Sequence, residues 1–199
     1  MKLYVTLTSP YARMVRALIV EKGIEDNVTV EPIVTRKPDM PLLDINPSGR
    51  VPVLVNDDGD AFEDSALIID YLETVYAPRV LAPQPDWNAR RLEASARSML
   101  DGVAVWVREL RRPEDHQSPV ILKHEAGRAL RMAKAFDTIV GSGALDGPLD
   151  MTQLTLGSTL HWRDRTMPEF DWRHGNDRLS AWVDRFGERD LMQRTIPPA

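Results

Sequence analysis

The spacing of apolar and polar positions changes period along the chain. Leu3, Val5 and Leu7 alternate with Lys2, Tyr4 and Thr6, the two-residue period of a strand with one buried face. From Pro10 to Lys22 the period lengthens. Met14 pairs with Leu18 and Val15 with Ile19, four residues apart, as in a helix lying on a sheet. Pro10 suits the first helical position and Gly23 the residue just past the end. A second strand signal covers Val28 to Val34. Strand, helix and strand in that order predict a parallel pair with a right-handed crossover.

A Pro-rich loop follows, with a short helix signal over Pro41 to Ile45. Val51 to Val55 reads as a strand with Pro52 near its start, and Asn56-Asp57-Asp58-Gly59 as a hairpin turn. Asp60-Ala61-Phe62 is a short return strand, and Ala66, Ile69, Leu72 and Tyr76 predict a helix from about Ser65 to Tyr76. Residues 78–85 carry Pro78, Pro83 and Pro85, the composition of a semi-rigid linker. It separates an α/β domain over 1–77 from an all-helical domain over 86–199. In the second domain Leu92, Ala96, Met99, Val103, Val107 and Leu110 predict a long amphipathic helix ending near Arg112-Pro113. Ala126, Ala129, Ala133, Phe136 and Val140 repeat the pattern before Gly141-Ser142-Gly143, and further helices are predicted from Thr152 and over Asp177 to Phe186.

Composition narrows the class. At ~150 residues per domain, 199 residues suit one domain or two small ones. An apolar content of 43% with 28% charged residues excludes a disordered chain. Aliphatic runs reach about four residues, as in Ala17-Leu18-Ile19-Val20, against the ~18 needed to cross a bilayer. The start of the chain lacks a signal-peptide apolar segment, so a cytoplasmic protein without a membrane span is expected. A net charge of −5 with interspersed signs speaks against nucleic acid.

Cysteine is absent. Disulfides, thiolate metal sites and chemistry through the protein's own thiol are therefore excluded; any sulfur chemistry must use a ligand's sulfur. His116, His124, His161 and His174 show neither H-E-x-x-H spacing nor clustered acids, so no metal is expected. Glycine-rich phosphate loops and a G-x-S-x-G elbow are missing as well.

Three local features remain, each with a purely structural alternative. Ser9 stands before Pro10 at a predicted helix start, where a Ser ordinarily caps the first amides; the same helix terminus favours an anion, to which a hydroxyl can donate. In Arg50-Val51-Pro52-Val53 the proline marks an edge strand or a cis bond; a cis bond would turn the Val51 backbone outward, where an extended peptide can pair with it. Glu63-Asp64-Ser65 opens a helix, as capping alone would require; it can equally hold a carboxylate at the helix start with Asp64 beside an ammonium group. Together the three fit a small peptide with a free amino-acid end and a thiol.

These residues carry a resemblance. Thr8-Ser9-Pro10-Tyr11-Ala12-Arg13, Asn46-Pro47-Ser48-Gly49-Arg50-Val51-Pro52-Val53-Leu54 and Glu63-Asp64-Ser65-Ala66-Leu67-Ile68-Ile69-Asp70-Tyr71-Leu72 resemble the glutathione S-transferase family, most of all small bacterial members with a Ser in the first βα turn. The resemblance covers nearly the whole chain. It implies a thioredoxin-like N-terminal domain plus an all-α C-terminal domain, a homodimer, glutathione as co-substrate without a metal, and a role in detoxification. The implied activity is attack of the bound glutathione thiol on a small, hydrophobic electrophile. It also implies residue roles. Ser9 matches the activating hydroxyl, with Tyr4 and Tyr11 close enough in sequence to replace it. Val51, before a cis Pro52, matches the residue whose backbone pairs with the cysteinyl part of glutathione. Asp64 and Ser65 match the pair that holds the γ-glutamyl end, Arg36 or Lys37 the group that meets the glycine carboxylate, and Arg13 a supporting basic residue. Two rival readings share the fold: a non-catalytic glutathione-binding or scaffold protein, and a glutathione-dependent peroxidase, reductase or isomerase. The family's Ser/Thr-x-x-Asp capping box falls on Thr152-Gln153-Leu154-Thr155, with Thr in place of the Asp. Met99, Val103, Trp106 and Val107 either line an electrophile pocket between the domains or belong to the helical core.

Overall fold

The structure, a computed structural model, describes residues 1–83, 86–161 and 163–198. Strand β1 (Lys2–Val5) leads into helix α1 (Pro10–Lys22), strand β2 (Thr29–Pro32), the short helix α2 (Leu42–Ile45), the hairpin of β3 (Val53–Val55) and β4 (Ala61–Glu63), and helix α3 (Ser65–Val75). The sheet order is β2-β1-β3-β4. β1 runs parallel to β2, with Leu3 opposite Val30. β3 runs antiparallel to both β1 and β4, with Leu54 opposite Leu3 and Phe62. The alternation in β1 is realised: Leu3 and Val5 are fully buried, while Tyr4 packs on the other face against Met40, Leu42 and Val53. Met14, Leu18, Ile68 and Leu72 complete the core from α1 and α3.

By packing, the chain forms two units, Met1–Leu81 with Asp190–Ala199, and Ala82–Arg189. Helical periodicity assigns 86–199 to one domain, yet the C-terminal segment packs on α1. The cause is Arg13, whose side chain is only 1% exposed. Its Nη2 donates to the Met192 carbonyl at 3.0 Å and its Nε to Thr195 Oγ1 at 3.4 Å. A buried guanidinium requires such acceptors; the short helix α9 (Asp190–Gln193) delivers the first and the segment just after it the second. Part of the predicted linker is also fastened to this unit. The fully buried Glu73 carboxylate accepts from Lys22 Nζ at 2.9 Å, Val80 N at 3.0 Å and Leu81 N at 3.2 Å. Lys22 Nζ donates in turn to the Pro78 carbonyl at 2.8 Å. Gln84 and Pro85 of that linker lie outside the described residues.

The second unit is helical. Helices α4 (Trp87–Leu110), α5 (Pro119–Gly141), α6 (Met151–Leu160), α7 (Arg163–Thr166) and α8 (Asp177–Gly187) surround a core in which α6 is buried at every position but its first. Met99, Val103 and Trp106 are buried there, Trp106 lying 5.6 Å from the Phe170 ring centroid. These three fill the interior of the helical unit, and Val107 is half-buried. The cap of α6 differs from the sequence expectation. Asp150 is the N-cap, accepting from Gln153 N at 2.8 Å. Thr152 and Thr155 lie inside the helix, and Thr155 Oγ1 donates to the Met151 carbonyl at 2.6 Å. Gln153 occupies the third helical position and holds the preceding loop, its Nε2 donating to the carbonyls of Leu145 and Gly147 at 3.0 and 3.1 Å. A carboxylate two residues upstream outcompetes a threonine because it complements the helix dipole as well as the amide. Among the described residues no helix is long and apolar enough to cross a membrane.

Candidate functional site

Strand register brings the three sequence features to one end of the sheet. Tyr4 lies opposite Val53 and Val53 opposite Glu63. The C-terminal end of β1, the N-terminal end of β3 and the C-terminal end of β4 therefore emerge side by side, in the order β1-β3-β4. Ser9 follows the first, Val51-Pro52 precedes the second and Asp64-Ser65 follows the third. Adjacent strands are ~4.8 Å apart, so the outer two lie about 10 Å apart, the reach of an extended tripeptide at ~3.5 Å per residue.

Ser9 is the N-cap of α1, with φ −76° and ψ 122°. Its Oγ accepts from Ala12 N at 3.3 Å. A hydroxyl has one proton and two lone pairs, so capping leaves the proton to donate elsewhere. Ser9 is half-buried and borders the positive end of a 13-residue helix. Tyr11 stands at the second helical position, while Tyr4 is taken up by the apolar cluster on the sheet.

The Val51-Pro52 peptide is cis. Pro52 is buried and Val51 half-buried, and pairing in β3 begins only at Val53. Asp64 is the N-cap of α3, and its Oδ1 accepts from Ala66 N at 2.8 Å and Leu67 N at 3.3 Å. Its φ of 75° is uncommon for a residue with a side chain, although Asp tolerates it better than most. Ser65, at the first helical position, is buried. Arg36 and Lys37 are exposed on the loop after β2, Arg36 with φ 67°. Arg13 serves α1 from within the core, bonded to Met192 and Thr195.

Sequence reasoning missed the brace under this site. The Ser48 hydroxyl donates to the Glu63 carboxylate, and Ser48 Oγ accepts from Arg50 N at 3.2 Å. Asn46 joins in, its Nδ2 donating to the Arg50 carbonyl at 3.3 Å and its Oδ1 accepting from Ser48 N at 3.2 Å. The Ser48 bond, aided by Asn46 and Arg50, holds the Glu63 carboxyl below the usual range. Gly49 completes the turn with φ 63°, where a Cβ would meet Met40 Cε at 2.7 Å. The loop before Pro52 is thus tied to the end of β4. Among the described residues no group of three or more His, Asp or Glu side chains is placed to hold a metal.

Comparison with known proteins fits this geometry. Models of the glutathione S-transferase N-terminal and C-terminal domains match residues 3–80 and 85–185. The chain is 28% identical to the uncharacterized GST-like protein YibF of Escherichia coli (strain K12), over 100% of this chain and 99% of that protein. A crystal structure of a glutathione transferase family member from Pseudomonas fluorescens Pf-5 with bound glutathione superposes with a TM-score of 0.87 at 25% identity, over 100% of this chain and 99% of that one. A glutathione S-transferase from Methylobacillus flagellatus KT with GSH bound gives 0.83 at 26% identity, over 99% of each chain. The mixed four-stranded sheet with its helices is the thioredoxin-like domain of these proteins, and the helical unit their all-α domain. On the strength of both domain matches, the chain belongs to the glutathione S-transferase family.

Proposed function

We propose that this chain is a glutathione transferase that ionises the thiol of bound glutathione at Ser9 and directs the thiolate at a small, hydrophobic electrophile. One observation carries the reading: in a chain without cysteine, Ser9 caps α1 through its oxygen and keeps its proton, at the end of the sheet where Val51 and Asp64 also emerge. Glutathione bound to similar structures supports it.

The energetics are sufficient. A free thiol titrates near ~8.5, so only about 3% is thiolate at pH 7. Lowering the pKa by ~2 units raises that fraction to roughly three quarters and needs ~2.7 kcal/mol of preference for the anion. One hydrogen bond from Ser9 to a thiolate supplies ~1.5–3 kcal/mol, and the helix terminus adds ~0.3–1 kcal/mol. No general base is needed; the thiol proton goes to solvent. With an aryl halide, the thiolate forms the carbon–sulfur bond as halide departs with its electron pair. Val51 aligns the cysteinyl backbone, Asp64 and Ser65 receive the γ-glutamyl end, and Arg36 or Lys37 meets the glycine carboxylate. The reading extends to a cytoplasmic homodimer in detoxification; Leu67 and Val75, exposed on α3, supply apolar surface for a second copy.

Thermal-shift titration with glutathione, paired with a conjugation assay on an aryl halide, tests this. Saturable stabilisation together with conjugation is expected. Stabilisation without turnover on any electrophile would make the protein a binding module, and no stabilisation would end the reading.

A further inference from the structure

We propose that Ser48 and Glu63 form a spacer between the Val51 grip and the Asp64-Ser65 grip, and so select a γ-glutamyl tripeptide over one a methylene shorter. The inference rests on the glutathione reading above and deepens it. Strand pairing alone leaves the spacing of the two grips open. The ladder between β3 and β4 ends with Val53 opposite Glu63. Val51 lies two residues outside it, while Asp64 follows Glu63 directly.

One hydroxyl closes that gap. Ser48 donates to the Glu63 carboxylate, and its Oγ accepts from Arg50 N at 3.2 Å. A hydroxyl has a single proton and an ionised carboxylate can only accept, so the direction of both bonds is fixed. The Ser48 and then the Asn46 side chain hold the Glu63 carboxyl below its usual range, so it remains the acceptor. The loop side is tied within itself. Buried Asn46 accepts from Ser48 N at 3.2 Å through Oδ1 and donates from Nδ2 to the Arg50 carbonyl at 3.3 Å. Gly49 N donates to the Asn46 carbonyl at 3.0 Å. Both main-chain polar groups of Arg50 are therefore held, and the next residue is Val51. The Ser48–Glu63 bond thus joins the residue before one grip to the loop that ends at the other. Such a cross-link acts on the length of a ligand more than on its charge. A γ-glutamyl and a β-aspartyl peptide carry the same ammonium, carboxylate and thiol, and differ by one methylene between the two grips.

The test is calorimetric titration of the full chain with glutathione and with β-aspartyl-cysteinyl-glycine. The wild type should prefer glutathione by about 10- to 100-fold, the usual worth of one methylene. Ser48→Ala and Glu63→Ala should each narrow that ratio by about 3- to 10-fold, the range of one hydrogen bond. The double variant should narrow it no further, because both changes remove the same link. Ser48→Thr keeps the hydroxyl and should keep the ratio. Ser48 and Glu63 are both exposed, so neither change opens the core, and either alanine variant decides the matter alone. A wild type that binds neither peptide overturns the glutathione reading and the spacer with it. Glutathione binding with no preference over the shorter peptide overturns the spacer alone. So does a ratio unchanged in the alanine variants, as when both peptides weaken equally.

Discussion

Ser9-Pro10 and Ser118-Pro119 are the same dipeptide doing the same local work in two units. Each serine is a half-buried N-cap with extended backbone, φ −76° and ψ 122° at Ser9 against φ −90° and ψ 109° at Ser118. Each accepts one amide proton, from Ala12 at 3.3 Å and from Ile121 at 3.4 Å. Each stands before a proline at the first helical position. Their surroundings differ. The backbone N–H of Ser118 is held by the Glu109 carboxylate at 2.6 Å, so a negative group already occupies the space next to that cap. The backbone N–H of Ser9 donates to the Thr6 carbonyl at 3.0 Å, inside the turn that leaves β1 at the sheet's open end. Capping chemistry makes the hydroxyl available at both helices. Only the neighbouring strand ends give one of them something to do.

The largest test of this contrast removes what holds α1 in place. Arg13→Ala should cost about 3 kcal/mol or more, since it strands buried acceptors and empties a large volume. Glutathione binding should weaken with it, while hydrogen exchange of α5, the helix Ser118 caps, should change less. Equal loss of protection in both helices would show that Arg13 does not act on α1 in particular.

Next in size is the chemistry itself. Ser9→Ala should lower conjugation by roughly 10- to 100-fold and raise the pKa of the bound thiol by ~1–2 units, the worth of one hydrogen bond to an anion. Ser118→Ala should leave both unchanged. Turnover that falls alike in both variants would reduce Ser9 to a cap.

A smaller effect separates capping from catalysis. Either alanine should cost about 1 kcal/mol of stability, and Ser→Asp at either position should restore it. Ser9→Asp should nevertheless stay inactive, because a carboxylate repels the thiolate that a hydroxyl stabilises. Chemical denaturation read beside the conjugation rate checks both halves.

The smallest concerns Glu63, under the site. Its carboxyl is held below the usual range chiefly by the Ser48 hydroxyl. A depressed carboxyl supports the folded state above its unfolded pKa, and that support fades as pH falls through the folded value. Its carboxyl NMR titration should therefore have a midpoint below the ordinary Glu value of ~4.3. Ser48→Ala should raise that midpoint; an unmoved midpoint would break the brace.

Elements whose signal is local were legible in the sequence. Leu3 and Val5 mark β1 by period, although the alternation predicted through Leu7 ends at Val5; Pro10 and Gly23 bracket α1, and Asn56 to Gly59 mark the hairpin, because strand alternation, capping and turn chemistry act within a few residues. The candidate site residues Ser9, Val51, Asp64 and Ser65 could be named for the same reason: each sits at a helix start or beside a proline. The cap of α6 was misplaced by two residues, because Thr152 and Asp150 are both acceptable caps and the Asp150 carboxylate complements the helix dipole as well as the amide. Nothing local announces that Arg13 reaches Met192, that Glu63 grips Ser48, or that Ser9 and Ser118 differ. Those facts depend on strand register and on which segments meet across long separations, where the demand of a buried charge for partners, and the adjacency of three strand ends, decide what a residue of given chemistry is for.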